Sequence, residues 1–445
     1  MALGSFKKFF GRVKTTVGQS LPNPVRGGIA ALATTGKMMD PDNDYRKDDL
    51  KKLRSNLVSG RKVPKLASAG LPRTTSFEEF VFVKENTDRL SHLEHPADRV
   101  VDGKKGFRHA FSALHSLHKT LSGKSDKSKL SQKFDGAPSL VFGTHPETNK
   151  FFVATKSAWN KTPKINYSHE DIVANHPKSK GLQDKLHHAL NHLSKVTPKG
   201  KVFQGDIMYS KGDVKKSKGK LQITPNTITY GAKKTSPEGK SMASAKLGIA
   251  VHTGYTGKDF ASLKSHPVHD TSDFKNHKDV HLLDTSVSSH SSYTPERQER
   301  VKKFLGGAVQ AHRGVDYSKI EGHEPHIKMY INQTVRNNTR PTVKGYYKHL
   351  TTRKEVKPEQ LGQVRKNPES FGGLFKAHRY LELAKTQMVH ALDSHNKRFE
   401  TSIQGKPSGP EGYVANGKDK IVKRYPDKHG PGFSAANFAQ GTFRK

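Results

Sequence analysis

The motif KFDG at residues 133–136 stands directly before the apolar run at residues 138–143. Asp and Gly favour tight turns, because a short carboxylate bonds to nearby backbone and glycine carries no Cβ that would clash. The motif therefore predicts a turn that presents Lys133, with Pro138 stiffening the exit from it. Short apolar stretches bounded by Gly, Pro or Asn fill residues 133–260, which are therefore predicted to be β-rich.

The chain divides by composition into four segments. Residues 1–75 hold no acidic residue before Asp40 and are predicted to form a basic, partly disordered N-terminal arm. Residues 76–294 contain the strand patterns that form the first part of a core. Helical periodicity predominates in residues 295–400, which we interpret as a helical insertion, and residues 401–445 complete the core with further strands.

Positive charge dominates the composition of this 445-residue chain. It carries 78 Lys and Arg against 40 Asp and Glu, a formal net charge of +38. Such self-repulsion does not stabilise a fold, so the excess indicates a polyanionic partner, with nucleic acid favoured over a membrane surface. Cysteine is absent, which excludes disulfides, thiolate zinc sites and cysteine nucleophiles. No apolar run approaches the roughly 20 residues that span a bilayer.

The first residues mix apolar and basic side chains at helical spacing, which predicts a short cationic amphipathic helix. The whole segment 1–75 contains fifteen Lys or Arg and five Asp. We favour an arm that packs on its own protein or clamps nucleic-acid phosphates, which predicts salt-dependent binding. A targeting peptide and contact with a membrane surface are the alternatives. The apolar residues of this helix are Phe6, Phe9, Phe10, Val13 and Val17.

Histidine is abundant, with 25 residues in the chain. His188 and His192 have the i,i+4 spacing of a metal-binding pair on one helix face. We interpret the pair as part of a solvated helix face.

Several motifs follow the KFDG turn in order. Lys156 and Ser157 end one strand pattern, and Asp206 lies inside another, FQGDIMYS. His252 and Tyr255 stand at the end of the apolar strand KLGIAVHTGY. The last motif, EGYVANGKDKIVKRY, contains Glu411, Gly412, Lys420 and Lys423.

The order of Lys-x-Asp-Gly, Glu-Gly-x-Val and a lysine-bearing strand resembles the covalent nucleotidyltransferase superfamily of ATP-dependent DNA and RNA ligases and mRNA capping enzymes. The phrases FQGDIMYS, ITPNTITYG and KLGIAVHTG look most like ligase-like proteins of large tailed bacteriophages. The resemblance covers residues 133–425. It implies an α+β fold with a ligase-type core, in which two antiparallel sheets are flanked by helices.

The resemblance also implies a role for each motif residue. Lys133 would be the nucleophile that forms a lysyl-AMP phosphoramidate, and we expect burial and cationic neighbours to lower its pKa from about 10.4. The Asp135 carboxylate would meet the ribose, and Gly136 would allow the turn. Glu411 would bind the catalytic metal ion, and Asp206 would hold the ribose or a metal-bound water. The remaining nucleotide contacts would be Lys156 at phosphates, Tyr255 or His252 at the adenine, and Lys420 or Lys423 at the α-phosphate.

Some residues depart from the family pattern. Lys156 stands where Arg is usual, and Asp206 stands where Glu is usual. Lys420 and Lys423 are three residues apart and would point to opposite faces of a regular strand, so we prefer Lys420 as the α-phosphate contact. A bulge would bring both lysines to one face. Too few residues follow Lys423 for the C-terminal OB domain of DNA ligases and capping enzymes, so no such domain is expected.

We therefore expect an ATP-dependent polynucleotide ligase, either RNA ligase-like or a minimal DNA ligase. It would use ATP with Mg²⁺, or Mn²⁺ in its place, to join 5′-phosphate and 3′-hydroxyl groups at DNA or RNA ends or nicks. The alternative is a nucleic-acid-binding or virion-associated protein on a degenerate ligase fold without catalysis. The likeness to phage proteins implies a viral origin and a location in the host cytoplasm or the virion.

Overall fold

A computed structural model of the chain contains three mostly antiparallel sheets and ten α-helices among the residues it describes. The α+β class expected from the sequence is confirmed, although two sheets were expected. Every helix in this part of the chain is too short or too polar to cross a bilayer. The basic arm expected at residues 1–75 lies outside the described residues. The structure describes residues 93–124, 128–287, 293–395, 398–427 and 432–439.

Strands predominate in the first half of the described chain, and helices predominate after residue 294. The strands are β1 (Leu130–Lys133), β2 (Ser139–Thr144), β3 (Phe151–Ala154), β4 (Val202–Ser210), β5 (Lys215–Ser217), β6 (Lys220–Ile223), β7 (Thr229–Lys233), β8 (Leu247–Thr256), β9 (Lys264–Pro267), β10 (Val280–Leu282), β11 (Glu400–Ile403), β12 (Lys406–Pro407), β13 (Gly412–Ala415) and β14 (Asp419–Ile421). The helices are α1 (Gly103–Leu121), α2 (His169–Asn175), α3 (Lys180–Leu193), α4 (Pro237–Ser244), α5 (Pro295–Arg313), α6 (Glu324–Arg336), α7 (Val343–Thr351), α8 (Pro358–Lys366), α9 (Pro368–His395) and α10 (Phe433–Ala439).

The central sheet has six strands in the order β10-β8-β4-β2-β3, with β9 paired to β8. Its neighbouring strands are antiparallel except for β8 and β10. Thr144 pairs with Phe151 across β2 and β3, so the turn THPETN connects a hairpin. Leu186 of α3 and Ile172 of α2 join the same buried cluster as Phe203 of β4. This apolar layer fixes the sheet that carries Asp206.

The third sheet has five strands in the order β12-β11-β7-β6-β5. Leu221 and Ile223 of its strand β6 share a buried cluster with Met208 of β4 and Ala250 of β8, which belong to the central sheet. Phe134, the second residue of the KFDG motif, is buried in this cluster with 3% exposure. The motif is therefore anchored by its aromatic ring between two sheets.

The smallest sheet joins segments that are far apart in the sequence. Its order is β1-β13-β14, and both strand pairs are antiparallel. The register pairs Lys133 with Gly412 and pairs Val414 with Lys420. Val422, which follows β14, belongs to the same buried cluster as Phe134. This sheet positions the residues of the first and last motifs against each other.

The helices after residue 294 form a layer with an earlier helix. Helices α5 and α9 pack along each other, and both contact α1. Leu305 of α5, Leu381 of α9 and Leu114 of α1 are fully buried. The 3₁₀ helix Pro96–Asp102 packs on α1 and α9 as well. The helical segment expected at residues 295–400 therefore shares its core with residues from the first part of the chain.

Candidate active site

An ion pair between Lys133 and Glu411 forms the centre of the candidate site. The Lys133 Nζ donates to the Glu411 Oε2 at 2.7 Å, across a sequence separation of 278 residues. The Glu411 side chain is 5% exposed and the Lys133 side chain is 27% exposed. Because β1 and β13 are paired, the end of one strand meets the start of the other. The two signature motifs thus meet at one point of the fold.

Gly412 allows Glu411 to reach this position. Its φ is +148°, a conformation that residues with a Cβ rarely adopt. A Cβ at this position would lie 2.4 Å from the Val422 Cγ2 and 2.8 Å from the Ile421 carbonyl oxygen. Glycine is therefore required both by the backbone conformation and by the close approach of the chain after β14.

Lys420, and not Lys423, lies beside the ion pair. Ser131 pairs with Val414, which pairs with Lys420, so Lys420 shares a sheet face with Lys133. Its Nζ lies 3.8 Å from the Glu411 Oε1. The structure thus brings together Lys133, Glu411 and Lys420 around one carboxylate.

Lys423 belongs to a different environment. It follows the end of β14 and is buried, and its Nζ donates to the Asp427 Oδ1 at 3.0 Å. The bulge that would place both lysines on one strand face does not occur, because β14 ends at Ile421. Lys423 is thus removed from the set of residues around Glu411.

Acidic side chains surround Lys133. Burial lowers the pKa of Lys133, but the carboxylates of Glu411, Asp206 and Asp135 outweigh burial, so its pKa is raised above the ordinary value. The expectation that cationic neighbours lower the pKa of this lysine is therefore wrong. Lys420 shows the opposite balance, because burial and the nearby Lys133 ammonium lower its pKa despite the attraction of Glu411.

Asp135 anchors the KFDG turn from inside the protein. Its Oδ2 accepts the backbone N–H groups of Thr227 at 2.7 Å and Ile228 at 2.9 Å, and its Oδ1 accepts the Asn226 amide at 2.9 Å. The Asp135 backbone N–H donates to the Tyr230 hydroxyl at 2.8 Å. The resemblance assigned this carboxylate to a ribose, but both oxygens are engaged by the turn between β6 and β7. Its role in the structure is to hold the two turns together.

Replacing Asp135 by alanine is expected to destabilise the fold by about 3–5 kcal/mol. The change removes charge-assisted hydrogen bonds of about 1.5–3 kcal/mol each and leaves the buried N–H groups of Thr227 and Ile228 without an acceptor. Urea unfolding followed by circular dichroism measures the loss. The matched control is Asp316→Ala, which removes an exposed carboxylate that caps a 3₁₀ turn, and which should cost about 1 kcal/mol. Equal losses in the two variants would contradict the anchoring role of Asp135.

Asp206 faces the turn from β4. A Cβ on Gly136 would lie 2.7 Å from the Asp206 Cβ, so the turn packs directly on this strand. The Asp206 Oδ1 lies 3.6 Å from the His252 Nε2. Burial raises the pKa of Asp206, but His252 and Lys133 outweigh burial and lower it. Asp206 is therefore a second carboxylate whose field reaches the Lys133 ammonium.

Tyr255 is a core residue. It is 3% exposed, its hydroxyl donates to the Gln204 Oε1 at 2.6 Å, and its ring lies 5.0 Å from the Trp159 ring. Its side chain belongs to the same buried cluster as Phe152 and Phe260, so the structure places it in the core rather than at an open surface for the adenine. His252, the other residue considered for this role, has a side chain that is 37% exposed and is placed beside Asp206.

Lys156 lies at the edge of the central sheet. It is the exposed first residue of the 3₁₀ helix Lys156–Trp159, which follows β3. Ala154 pairs with Val141, and β2 pairs Ser139 with Asp206, so Lys156 lies at the same end of the sheet as Asp206. Its ammonium is available to solvent at this end of the sheet.

A second, largely buried group lies between α9 and the 3₁₀ helix Pro96–Asp102. Asp98, His378 and Glu382 place ligand atoms within 4.8 Å of one another, which is a geometry that fits a metal ion. However, Arg424 donates to Asp98 at 2.5 Å and Lys385 donates to Glu382 at 2.7 Å. Because these cations already neutralise both carboxylates, a buried dication would add uncompensated charge. We interpret the group as a structural ion-pair network, which the sequence analysis missed.

Asp393 contacts the strand that carries the EGYV motif. Its Oδ1 accepts the Tyr413 hydroxyl at 2.9 Å. Burial raises the pKa of Asp393 to about 6, although Tyr413 and His390 lower it. The folded protein therefore holds a proton on this carboxyl at pH values where the unfolded chain has released it.

This proton makes the stability of the wild type fall as pH rises from about 4 to about 6, by up to about 3 kcal/mol. Asp393→Asn is neutral at every pH and still accepts from Tyr413. The variant is expected to match the wild type near pH 4 and to exceed its stability above pH 6. Urea unfolding at several pH values measures the difference. The control Asp184→Asn, at an exposed position, should differ from the wild type by the same amount at every pH. A pH-independent difference in stability between Asp393→Asn and the wild type would contradict the raised pKa of Asp393.

Comparison with known proteins gives one family. DUF6267, described as a family of unknown function, matches residues 88–441 of the chain. No curated protein matches the chain, and no solved structure matches it.

Proposed function

The chain belongs to DUF6267, a family of unknown function, and we propose that it is an ATP-dependent covalent nucleotidyltransferase of the polynucleotide ligase type. The observation that carries the proposal is the convergence of Lys133, Glu411 and Lys420, with the Lys133 Nζ 2.7 Å and the Lys420 Nζ 3.8 Å from the Glu411 carboxylate. The order of the motifs and the α+β fold support a ligase-type core.

In the first step the Lys133 amine attacks the α-phosphorus of ATP. The Nζ–P bond forms, the bond from the α-phosphorus to the bridging oxygen of pyrophosphate breaks, and pyrophosphate leaves. The Lys133 nitrogen loses two protons in this step. The ammonium loses one before the attack, and the nitrogen loses the second as the phosphoramidate forms. Lys420 shares a face with Lys133 and supplies positive charge at the site where the phosphate gains negative charge.

Attack requires Lys133 to lose its proton and its hold on Glu411. The raised pKa of Lys133 makes the neutral amine rare while the negative charges of Glu411 and Asp206 act on the ammonium. Carboxylate oxygens are donors that Mg²⁺ prefers, and the charges of Glu411 and Asp206 both act on the Lys133 ammonium, so these two residues would hold a divalent ion. A bound ion would supply positive charge that neutralises the carboxylates and the phosphates.

The later steps are transfer of AMP to a 5′-phosphate and attack by a 3′-hydroxyl. The net charge of +38 supports a nucleic-acid substrate, because a polyphosphate chain compensates an excess of Lys and Arg. The exposed Lys156 at the Asp206 end of the central sheet is suited to an end phosphate.

A non-catalytic nucleic-acid-binding protein on the same fold is the second candidate. Three observations favour it. Lys133 is held in an ion pair that raises its pKa, the Asp135 carboxylate is turned into the protein, and Tyr255 is buried. Each of these features makes catalysis harder without preventing nucleic-acid binding.

Incubation of the full chain with α-labelled ATP and Mg²⁺, followed by a denaturing gel, separates the two candidates. The nucleotidyltransferase retains label on the denatured chain, and the label leaves on acid treatment, because a phosphoramidate is acid-labile. Omission of Mg²⁺ should abolish labelling. A chain that binds nucleic acid but carries no label under any divalent ion would support the non-catalytic protein.

A further inference from the structure

Helices α7 and α8 and the loops beside them carry a dense positive charge. Residues 336–366 contain nine basic residues and two acidic ones, Glu355 and Glu359. The chain as a whole has about two basic residues for each acidic one, with 78 against 40. The imbalance on this segment is therefore more than twice that of the chain. Like charges at this density repel one another unless an anion compensates them.

The basic side chains of α7 project from the protein surface. Lys344 and Lys348, which are one helical turn apart, are exposed, while Tyr346 and Leu350 of the same helix are buried. Among the ion pairs of the described residues, none involves Lys344, Lys348 or Arg365. These three cations thus form an uncompensated group on one surface.

An aromatic ring lies within this group. The Arg365 guanidinium of α8 lies over the Tyr347 ring of α7, with its Cζ 4.9 Å from the ring centroid. Tyr347 is half-buried, whereas Arg365 is exposed. The cation–π contact holds the guanidinium against the ring and leaves its outer surface to solvent. An exposed arginine without such a contact would sample many rotamers instead.

We propose that Lys344, Tyr347, Lys348 and Arg365, here named the α7–α8 platform, bind a single-stranded nucleic acid. The two lysines contact successive phosphates, and one unpaired base stacks on the guanidinium that Tyr347 supports. The platform rests on the proposed function in that it names the form of the substrate, a strand with unpaired bases near the joined end.

The arrangement of charge and ring distinguishes this ligand from other polyanions. A polyphosphate or sulfated polysaccharide needs only the positive charges. A duplex keeps its bases paired and offers only its phosphates to a flat surface. Stacking of bases on aromatic and arginine planes is a feature of single-strand recognition.

The decisive variant is Arg365→Lys, which keeps the charge and removes the planar group. Fluorescence anisotropy with a labelled 20-nucleotide single strand, at several salt concentrations, measures affinity for the full-length chain. We expect Arg365→Lys to weaken binding by about fivefold or more, the lower end of the loss for one stacked base, with an unchanged salt slope. Its affinity for inorganic polyphosphate should stay the same.

The phosphate contacts are tested by the double variant Lys344→Glu/Lys348→Glu. The magnitude of its salt slope should fall by about 1.4, since each phosphate contact on a single strand releases about 0.7 counterion. The matched control is Lys215→Glu/Lys216→Glu, which makes the same change in net charge at two exposed lysines of β5, on another sheet. The control should bind within about twofold of the wild type.

Several outcomes would overturn the platform. An unchanged affinity of Arg365→Lys for the single strand would exclude stacking. Equal losses of affinity in the two double variants would show that only the net charge of the protein matters. Binding of a blunt duplex as tightly as the single strand excludes unpaired bases as the ligand. Labelling of Lys133 by ATP is measured on every variant in parallel. Absence of labelling in the wild type would contradict the proposed function, whereas the binding measurements alone test the platform.

Discussion

Lys133→Arg is expected to lose all covalent labelling by α-labelled ATP while keeping the fold. A guanidinium stays protonated at every accessible pH, so it cannot act as the nucleophile. It nevertheless keeps a positive charge beside the Glu411 carboxylate, which lies 2.7 Å from the native ammonium. The variant thus separates the chemical role of Lys133 from its role in the ion pair. Labelled protein is measured on a denaturing gel.

Lys133→Ala is expected to lose labelling as well, but with a cost in stability. It leaves the carboxylate of Glu411, which is 5% exposed, with Lys420 as the nearest cation at 3.8 Å. Breaking a buried ion pair costs about 3–5 kcal/mol, and the 27% exposure of the Lys133 side chain places the loss toward the lower value. Urea unfolding measures this loss separately from labelling.

The control for both variants is Lys129→Ala, an exposed lysine just before the same strand. It should label like the wild type, because its side chain is not part of the site. Labelling of Lys133→Arg at the wild-type level would remove Lys133 as the nucleophile and with it the proposed reaction.

Lys420→Ala is expected to slow adenylation by about 10²-fold or more, with the amount of folded protein unchanged. An ammonium placed where charge develops on a phosphate contributes on this scale in other phosphoryl and acyl transfers. Lys423→Ala is the matched control, because Lys423 is only three residues away but pairs with Asp427 at 3.0 Å instead of with Glu411. Single-turnover labelling rates, corrected for the folded fraction, measure both variants. A strongly reduced labelling rate in Lys423→Ala, with a normal rate in Lys420→Ala, would assign the α-phosphate contact to Lys423 instead.

Glu411→Gln tests the same site from the acidic side. The amide removes the charge that raises the pKa of Lys133, which favours the neutral amine, but it also removes the strongest candidate ligand for a divalent ion. We expect the second effect to dominate, with a loss of about 10²-fold and a shift of the Mg²⁺ dependence to higher concentration. Faster labelling by Glu411→Gln would instead identify Glu411 as a group that restrains the lysine.

Local sequence patterns predicted much of what surrounds the site. The KFDG motif before an apolar run, and the short apolar stretches bounded by Gly, Pro or Asn up to Tyr255, indicated turns and strands that the structure contains. The three-residue spacing of Lys420 and Lys423 favoured Lys420 by strand alternation, and in the structure Lys423 lies beyond the end of β14. These conclusions depend on backbone geometry over a few residues, which a sequence specifies by itself.

The charges and the burial of the site residues depended on the tertiary structure. Lys133 gains acidic neighbours because strand pairing brings Glu411 to it across 278 residues, and no local pattern contains that contact. Asp135 turns inward because the loop at Thr227 offers it two backbone donors, and Tyr255 is buried in a cluster that includes Phe152 of β3. A pKa or an exposed face depends on every group within a few ångströms, and most of those groups are distant in the chain.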